Sequence, residues 1–148
     1  MFLEIKNTTI GYQKPLISEV NASLDFGDVC LLIGNNGVGK TTLIKSILNQ
    51  ISLLQGDILI NKKNVIKLTD KEIAEQIAVV FAKSQIPANY TTEDLISLGK
   101  FIHLPFYYQL ENEDVEHVNS IISQLKLEEY RNIQLQKLSD GNLQKAFI

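Results

Sequence analysis

Gly34-Asn35-Asn36-Gly37-Val38-Gly39-Lys40-Thr41 has the spacing G-x-x-x-x-G-K followed by a serine or threonine, with no mismatch. Gly34 and Gly39 allow a tight turn in which successive backbone N–H groups point inward at an anion. Lys40 adds a positive charge that can reach the β- and γ-phosphates of a nucleotide. The Thr41 hydroxyl is a hard oxygen ligand suited to Mg²⁺. The segment therefore predicts a binding loop for a nucleoside triphosphate with Mg²⁺.

The residues on either side of this loop predict the strand and the helix that such a loop requires. Residues 28–33 are nearly all apolar and predict a buried parallel strand. After the loop, Leu43, Ile44, Ile47 and Leu48 have helical spacing and predict one apolar helix face. The order strand, loop, helix points the N-terminus of the helix at a bound anion. The alternative, a glycine-rich turn that happens to precede a lysine, does not account for this order.

Composition excludes several classes of protein. The 148 residues carry a net charge of −3 with a pI of about 5.4, so there is no general basic field for nucleic acid. No apolar run approaches the roughly 18–20 residues of a membrane span, and the N-terminus lacks the form of a signal peptide. We therefore expect a cytoplasmic chain. Cys30, the single cysteine, cannot form an internal disulfide and is expected to pack in the strand before the loop.

Apolar patterns in the rest of the chain predict a mixed α/β fold. Strands are predicted at residues 2–6, 16–24 and 58–60, and the all-apolar run 77–81 predicts a central parallel strand. Thr69 opens a capping-box pattern that predicts a short helix.

The second half of the chain predicts helices. Thr91 or Thr92 can cap a helix that runs to Leu98, and Gly99 can stop it. Residues 113–127 carry a helical stripe formed by Val115, Val118, Ile121, Ile122 and Leu125. Between these helices, the aromatic patch at residues 101–108 is either the core seam of a small helical subdomain or a surface for a partner.

Two further segments narrow the function. They are Ile10-Gly11-Tyr12 upstream of the loop and Leu138-Ser139-Asp140-Gly141-Asn142-Leu143-Gln144-Lys145 near the end. Together with the loop they resemble the ATP-binding cassette (ABC) family of transporter ATPases, over essentially the whole chain from Tyr12 to Ile148. The signature of that family is usually L-S-G-G-Q, and this chain has L-S-D-G-N. An aspartate in the third position is familiar in the iron-siderophore, haem and cobalamin importer group.

The resemblance implies an α/β fold of the phosphate-loop NTPase type. It comprises a parallel core sheet, an N-terminal antiparallel β-subdomain and a small helical subdomain, here C-terminally truncated. The implied division is a nucleotide-binding core at residues 1–82, a helical subdomain at 83–137, and the signature with the start of the next helix at 138–148. The chain thus resembles the first part of a cassette.

The resemblance also implies a composite site for ATP and Mg²⁺. Tyr12 matches the aromatic residue that stacks on adenine, although a tyrosine packed at a strand end is the alternative. Ser139 and Gly141 match signature residues that contact the γ-phosphate of ATP held by a second copy; a helix-capping Ser-Asp-Gly turn is the alternative. The implied nucleotide-binding set is Tyr12, Gly34, Asn35, Asn36, Gly37, Val38, Gly39, Lys40, Thr41 and Thr42. The implied signature set is Leu138, Ser139, Asp140, Gly141 and Asn142.

The partners follow from the same resemblance. Two ATPase copies would form a head-to-tail dimer around two ATP molecules and drive an integral membrane permease. The ATPase would then lie on the inner face of the plasma membrane, as the subunit of an importer for a cargo such as iron-siderophore, haem or cobalamin. No nucleic-acid partner is expected.

One departure from the family concerns the metal. The family places a Mg²⁺-contacting glutamine at the end of the strand predicted at 77–81, and ungapped alignment puts Ala82 there. Gln85 lies three residues later, so the implied metal set is Thr41 with Gln85; a solvated loop glutamine is the alternative.

A larger departure concerns catalysis. The Mg²⁺-binding aspartate, the adjacent catalytic glutamate and the switch histidine of the family have no match here, and His103 and His117 fit no such motif. We therefore expect no catalytic residue and no hydrolysis by this chain alone. We also expect marginal stability, with an apolar sheet edge exposed. The alternatives are a non-transport ABC ATPase and a truncated nucleotide-binding module without catalysis.

Overall fold

The computed structural model describes residues 1–80, 89–102 and 110–148. These residues form two compact units, Met1–Gln76 and Ile77–Ile148. The division at residues 82 and 137 that the resemblance implies stays a prediction.

The first unit is mostly sheet and the second is helical. The first contains β1 (Leu3–Gly11), β2 (Pro15–Leu24), α1 (Lys40–Ile47), β3 (Gln55–Ile60), β4 (Lys63–Asn64), a 3₁₀ turn (Val65–Lys67) and α2 (Asp70–Ala74). The second contains α3 (Thr92–Leu98), α4 (Asn112–Gln124) and α5 (Asp140–Phe147), with 3₁₀ turns at Gly99–Ile102, Glu128–Tyr130 and Leu135–Lys137.

The sheet is antiparallel throughout its described strands, in the order β2-β1-β3-β4. Side chains alternate across β1, so Leu3 and Ile5 face the core while their neighbours do not. Leu3 pairs with Ile60 and Ile5 pairs with Ile58, and all four side chains are buried. These cross-strand pairs join β1 to β3 and form the centre of the first unit. The three strands predicted in this region are confirmed.

The helical unit packs around a core of its own. Five apolar side chains are buried together in this core: Ile96 of α3, Val118 and Ile122 of α4, Leu127 just after α4, and Ala146 of α5. The stripe predicted for residues 113–127 therefore supplies the core, although Val115 at its start is exposed.

The predicted helix starts are also correct. Thr69 forms a reciprocal capping box with Glu72, and Thr91, rather than Thr92, forms one with Asp94. At the other end of α3, Gly99 does not stop the chain in a left-handed turn; the helix tightens into the 3₁₀ turn that begins there.

The predicted parallel core strands are wrong for the described residues. Residues 28–33 form no strand, and Val29, Leu31 and Ile33 are 98%, 79% and 80% exposed. Residues 77–80 form no strand either, and residue 81 lies outside the described residues. A buried parallel strand needs hydrogen-bonded neighbours and covered faces, and no described strand pairs with either run.

The prediction that Cys30 packs in a core is wrong, and the apolar face predicted for the helix after the loop is confirmed only in part. Cys30 is exposed and not packed in a core. Helix α1 buries Thr42, Leu43 and Ser46, whereas Ile44 is exposed. The helix contacts β1 and buries two small polar residues and one leucine, so part of its apolar stripe is left in solvent.

Within the described residues, no helix is long and apolar enough to cross a membrane.

The contrast between a buried and an exposed aliphatic residue gives a direct test of this fold. We expect Ile58→Ala to lower the free energy of unfolding by about 2–5 kcal/mol, because it opens a cavity in the sheet core. We expect Leu31→Ala to change it by less than about 0.5 kcal/mol, because the side chain is already in solvent. Urea unfolding followed by circular dichroism measures both. Equal costs for the two variants would mean that residues 28–33 are buried in solution.

Candidate nucleotide-binding site

The glycine loop at residues 34–39 leads into α1 through a backbone that favours glycine. Gly37 and Gly39 have φ angles of 83° and 107°, in the region that residues with a side chain rarely adopt. A Cβ atom at Gly39 would also lie 3.0 Å from Cδ1 of Ile17, a residue of β2. Gly39 is therefore fixed by its backbone conformation and by the close approach of the sheet.

The loop presents N–H donors that no described residue uses. Between Gly34 and Gly39, only Val38 donates its N–H to a described backbone oxygen, that of Asn35 at 3.5 Å. Helix α1 then begins at Lys40 without a side-chain cap and without an acidic residue in its first turn. By contrast, α2, α3 and α4 each begin with a capping box and acidic residues. Among these four helices, α1 alone keeps the positive end of its dipole free for an external anion.

Lys40 lies over the loop. Its Nζ donates to the carbonyl oxygens of Gly34 at 2.7 Å and Asn35 at 2.8 Å. The ammonium group is therefore held at the loop, and a phosphate has to compete with two neutral carbonyls for it, which a charged acceptor can do. Thr41 is exposed, so its hydroxyl is accessible to a metal ion, whereas Thr42 is buried against the sheet.

Tyr12 lies in the turn between β1 and β2, and 66% of its surface is exposed. The same turn leads into Leu16 and Ile17, which approach the Cβ position of Gly39 to 3.7 and 3.0 Å. The turn and the loop thus lie at one end of the first unit. An exposed aromatic face there suits stacking on a purine ring.

The signature residues lie at the start of α5, in the second unit. The Ser139 Oγ accepts a hydrogen bond from the Asn142 N–H at 3.3 Å and caps the helix. The capping turn considered from the sequence is therefore present. It leaves the Ser139 hydroxyl proton free to donate, so capping does not exclude contact with an anion. Ser139, Asp140 and Gly141 are all exposed.

Three of the remaining sequence candidates lie outside the described residues, so Gln85 as a metal ligand stays a prediction. Gln85, Ala82 and His103 lie outside the described residues, as does the aromatic patch beyond Ile102. His117 is exposed on α4, as predicted, and its Nδ1 lies 3.1 Å from the Nζ of Lys100. In the described part of the chain, no three His, Cys, Asp or Glu side chains cluster as metal ligands would.

An ion pair of Arg131 with Glu93, which the sequence did not predict, joins the start of α3 to residue 131. The Nε of Arg131 donates to Oε2 of Glu93 at 2.8 Å, and its Nη2 donates to Oε1. This hydrogen-bonded pairing lowers the pKa of Glu93 and raises that of Arg131. The hydroxyl and N–H of Thr91 likewise lower the pKa of Asp94. One signal was available in the sequence: Arg131 is the single arginine of the chain.

These carboxylates predict an acid dependence of stability. Because the pKa values of Glu93 and Asp94 are lower in the folded chain, the stabilisation is present above their unfolded pKa values and is lost as the pH falls through the folded ones. We expect the free energy of unfolding to fall between about pH 5 and pH 3, with a smaller slope in Glu93→Gln. Urea titrations across this range measure the slope.

The matched control is Glu116→Gln in α4. Glu116 is exposed, lies beyond the first turn of the helix and forms no ion pair with a described residue, so this variant should change the slope less than Glu93→Gln does. A Glu93→Gln slope equal to that of the wild type would contradict the pairing.

A sheet followed by a glycine loop and an uncapped helix, with a lysine and a threonine at its start, is typical of the phosphate-loop nucleotide-binding proteins. Among the families of phosphate-loop proteins, one family model matches the chain. The model described as ABC transporter matches residues 17–148, which is most of the chain. The chain therefore belongs to the ABC transporter family.

The chain is also similar to curated ATP-binding proteins that are named for import. The chain is 32% identical over 148 residues to the petrobactin import ATP-binding protein YclP of Bacillus subtilis, covering 99% of this chain and 58% of the relative. It is 28% identical over 147 residues to the iron(3+)-hydroxamate import ATP-binding protein FhuC of the same organism, covering 99% of this chain and 55% of the relative. The chain thus spans little more than half the length of these relatives.

Solved structures agree on the fold. An ATP-binding subunit of an ABC transporter superposes with a TM-score of 0.82 at 25% identity, covering 99% of this chain and 60% of that one. An inward-facing metal-chelate type ABC transporter superposes with a TM-score of 0.77 at 20% identity, covering 99% and 53%. At that identity the second match shows the fold alone.

Proposed function

We propose that this chain is the nucleotide-holding part of the ATPase subunit of an ABC importer whose cargo is an iron-siderophore or related metal chelate. The observation that carries the nucleotide site is the loop at residues 34–39, with its unused N–H donors and the uncapped start of α1. The cargo class rests on the relatives, which are named for petrobactin and iron-hydroxamate import.

Each residue of the loop has a distinct task in this proposal. The backbone N–H groups of the loop and the ammonium group of Lys40 hold the phosphates, and the exposed Thr41 hydroxyl offers one oxygen ligand to Mg²⁺. The ring of Tyr12 gives adenine a stacking surface. Bound ATP would supply the phosphoanhydride bond whose cleavage an importer couples to transport.

The signature completes the site in a second copy. Ser139 has a free hydroxyl proton and lies, exposed, at the start of α5, where the helix dipole also favours an anion. We propose that it contacts the phosphate of ATP held by the loop of another ATPase copy. The resulting head-to-tail dimer would act on an integral membrane permease at the inner face of the membrane.

The Lys40 contribution can be measured by nucleotide binding. We expect Lys40→Ala to weaken the binding of a non-hydrolysable MgATP analogue by about tenfold or more, because hydrogen bonds to charged groups contribute about 1.5–3 kcal/mol. Isothermal titration calorimetry measures the affinity. Lys45→Ala, in the last turn of the same helix, is the control and should leave affinity within about twofold, since its charge is remote from the free N-terminus. An equal loss of nucleotide affinity in the two variants would contradict the proposed role of Lys40.

The phosphate role of Ser139 can be separated from its capping role. Ser139→Ala loses both the cap and the hydroxyl, whereas Ser139→Asp keeps a good cap and lacks a donor. We expect both variants to abolish ATP-dependent self-association in sedimentation velocity, but only Ser139→Ala to lower stability, by about 1 kcal/mol. Retained self-association in Ser139→Asp would show that the residue acts only as a helix cap.

A further inference from the structure

The segment that precedes the signature is bonded to the start of α3. We call residues 131–137 the signature arm. The Arg131 carbonyl accepts from the Glu93 N–H at 3.1 Å, and the Ile133 carbonyl accepts from the Thr92 N–H at 3.2 Å. In the other direction, the Leu135 N–H donates to the Tyr90 carbonyl at 2.9 Å. The first half of the arm therefore lies along residues 90–93 as a short backbone ladder.

At the end of this ladder farthest from the signature, the side chains of Arg131 and Glu93 form a two-bond ion pair, which we call the fork. Two nitrogens of the Arg131 guanidinium each donate to a different oxygen of the Glu93 carboxylate. Both side chains are about one-third exposed, at 34% and 33%. A guanidinium makes this planar two-bond contact because its donors have a fixed geometry, and a lysine cannot reproduce it. The only arginine of the chain is used here.

At its C-terminal end, the arm is connected to the signature by a buried leucine and a 3₁₀ turn. Leu135 is 1% exposed, and the 3₁₀ turn that starts there bonds the Leu138 N–H to the Leu135 carbonyl at 3.2 Å. Ser139 follows directly and caps α5. There is no free linker between the ladder and Ser139, so a shift of the arm displaces the serine hydroxyl.

We propose that Arg131 is a positioning residue for Ser139, acting through its fork with Glu93. The proposal rests on the proposed function in one respect, the contact of Ser139 with phosphate. The fork lies eight residues before Ser139 and touches no signature residue, so it acts by holding the arm in register with α3. Loss of the fork leaves the backbone ladder in place but lets its outer end open more often.

Hydrogen exchange of the full 148-residue chain tests the positioning step without nucleotide. In Arg131→Lys, we expect the amides of Leu135 and Asn142 to exchange about three- to fivefold faster, the range given by a partly exposed ion pair. The Leu125 amide, bonded to the Ile121 carbonyl at the end of α4, should be unchanged. Glu93→Gln should give the same pattern, and the double variant should add little to either single change.

Lys100→Gln is the matched control, because it breaks a different ion pair of the same unit, the 3.0 Å contact with Asp114. It should leave the arm amides unchanged. Equal acceleration of all amides in Arg131→Lys would mean that the arginine contributes only general stability, and unchanged arm amides would mean that the ladder needs no fork. Either result overturns the proposal.

Self-association separates this inference from the proposed function. If the wild type associates with ATP, Arg131→Lys should weaken association by about three- to fivefold while nucleotide affinity at the loop stays the same. An unchanged association constant overturns the positioning role. If the wild type does not associate with ATP, the proposed role of Ser139 fails, and the exchange pattern still decides whether Arg131 fixes the arm.

Discussion

The left-handed backbone at Gly39 sets the point where α1 begins, and the approach of Ile17 ties that point to the antiparallel sheet. This junction fixes where the loop ends and where Lys40 lies at the start of the helix. It therefore also fixes the region in which the unused N–H groups of the loop lie. A residue with a Cβ atom would strain the backbone and press against β2 at the same time. The sheet therefore supports the glycine loop beside β2, the outer strand of its order.

Helix N-termini in this chain differ in how their free donors are satisfied. Thr69, Thr91 and Glu111 start helices whose N–H groups are capped from within the chain. Helix α1 has no such cap, and α5 is intermediate, with a serine cap and Asp140 in its first turn. A fixed carboxylate at the start of α5 offsets part of the dipole that would attract a phosphate. The two proposed phosphate contacts therefore differ in strength, with the loop providing the stronger one.

Local chemistry made part of this structure predictable. The capping box at Thr69 was predicted because its residues lie three positions apart, whereas at the next helix the sequence left Thr91 and Thr92 as alternative caps. The strand around Ile5 was predicted because apolar residues alternate there, and the strand at residues 58–60 because a short apolar run follows a turn. The strand at residues 28–33 failed because a parallel strand is defined by partners that an apolar run does not specify. The fork of Arg131 with Glu93 was missed for a related reason, since 38 residues separate its members and neither belongs to a motif.

The proposed composite ATP site depends on relations between distant residues that local sequence patterns do not encode. Tyr12 and Gly39 came from separate motifs, and β2 joins the turn of one to the loop of the other. Ser139 was recognised by its resemblance to a signature, while its capping bond to Asn142 is an independent function of the same oxygen. A single side chain thus carries a structural bond and a proposed ligand contact, and variants that keep only one of them are needed to separate the two.

The single arginine of the sequence, Arg131, lies in the pair with Glu93, and this matters for chemical modification of the protein. Reagents that modify guanidinium groups, such as dicarbonyl compounds, have one target in the sequence. Since the Arg131 side chain is only about one-third exposed and its guanidinium is hydrogen-bonded through two nitrogens, we expect the group to react fully only when the pair separates. The rate of that single modification would report how often the segment leading to Ser139 detaches from α3, and amine-directed labels on the lysines would leave it untouched.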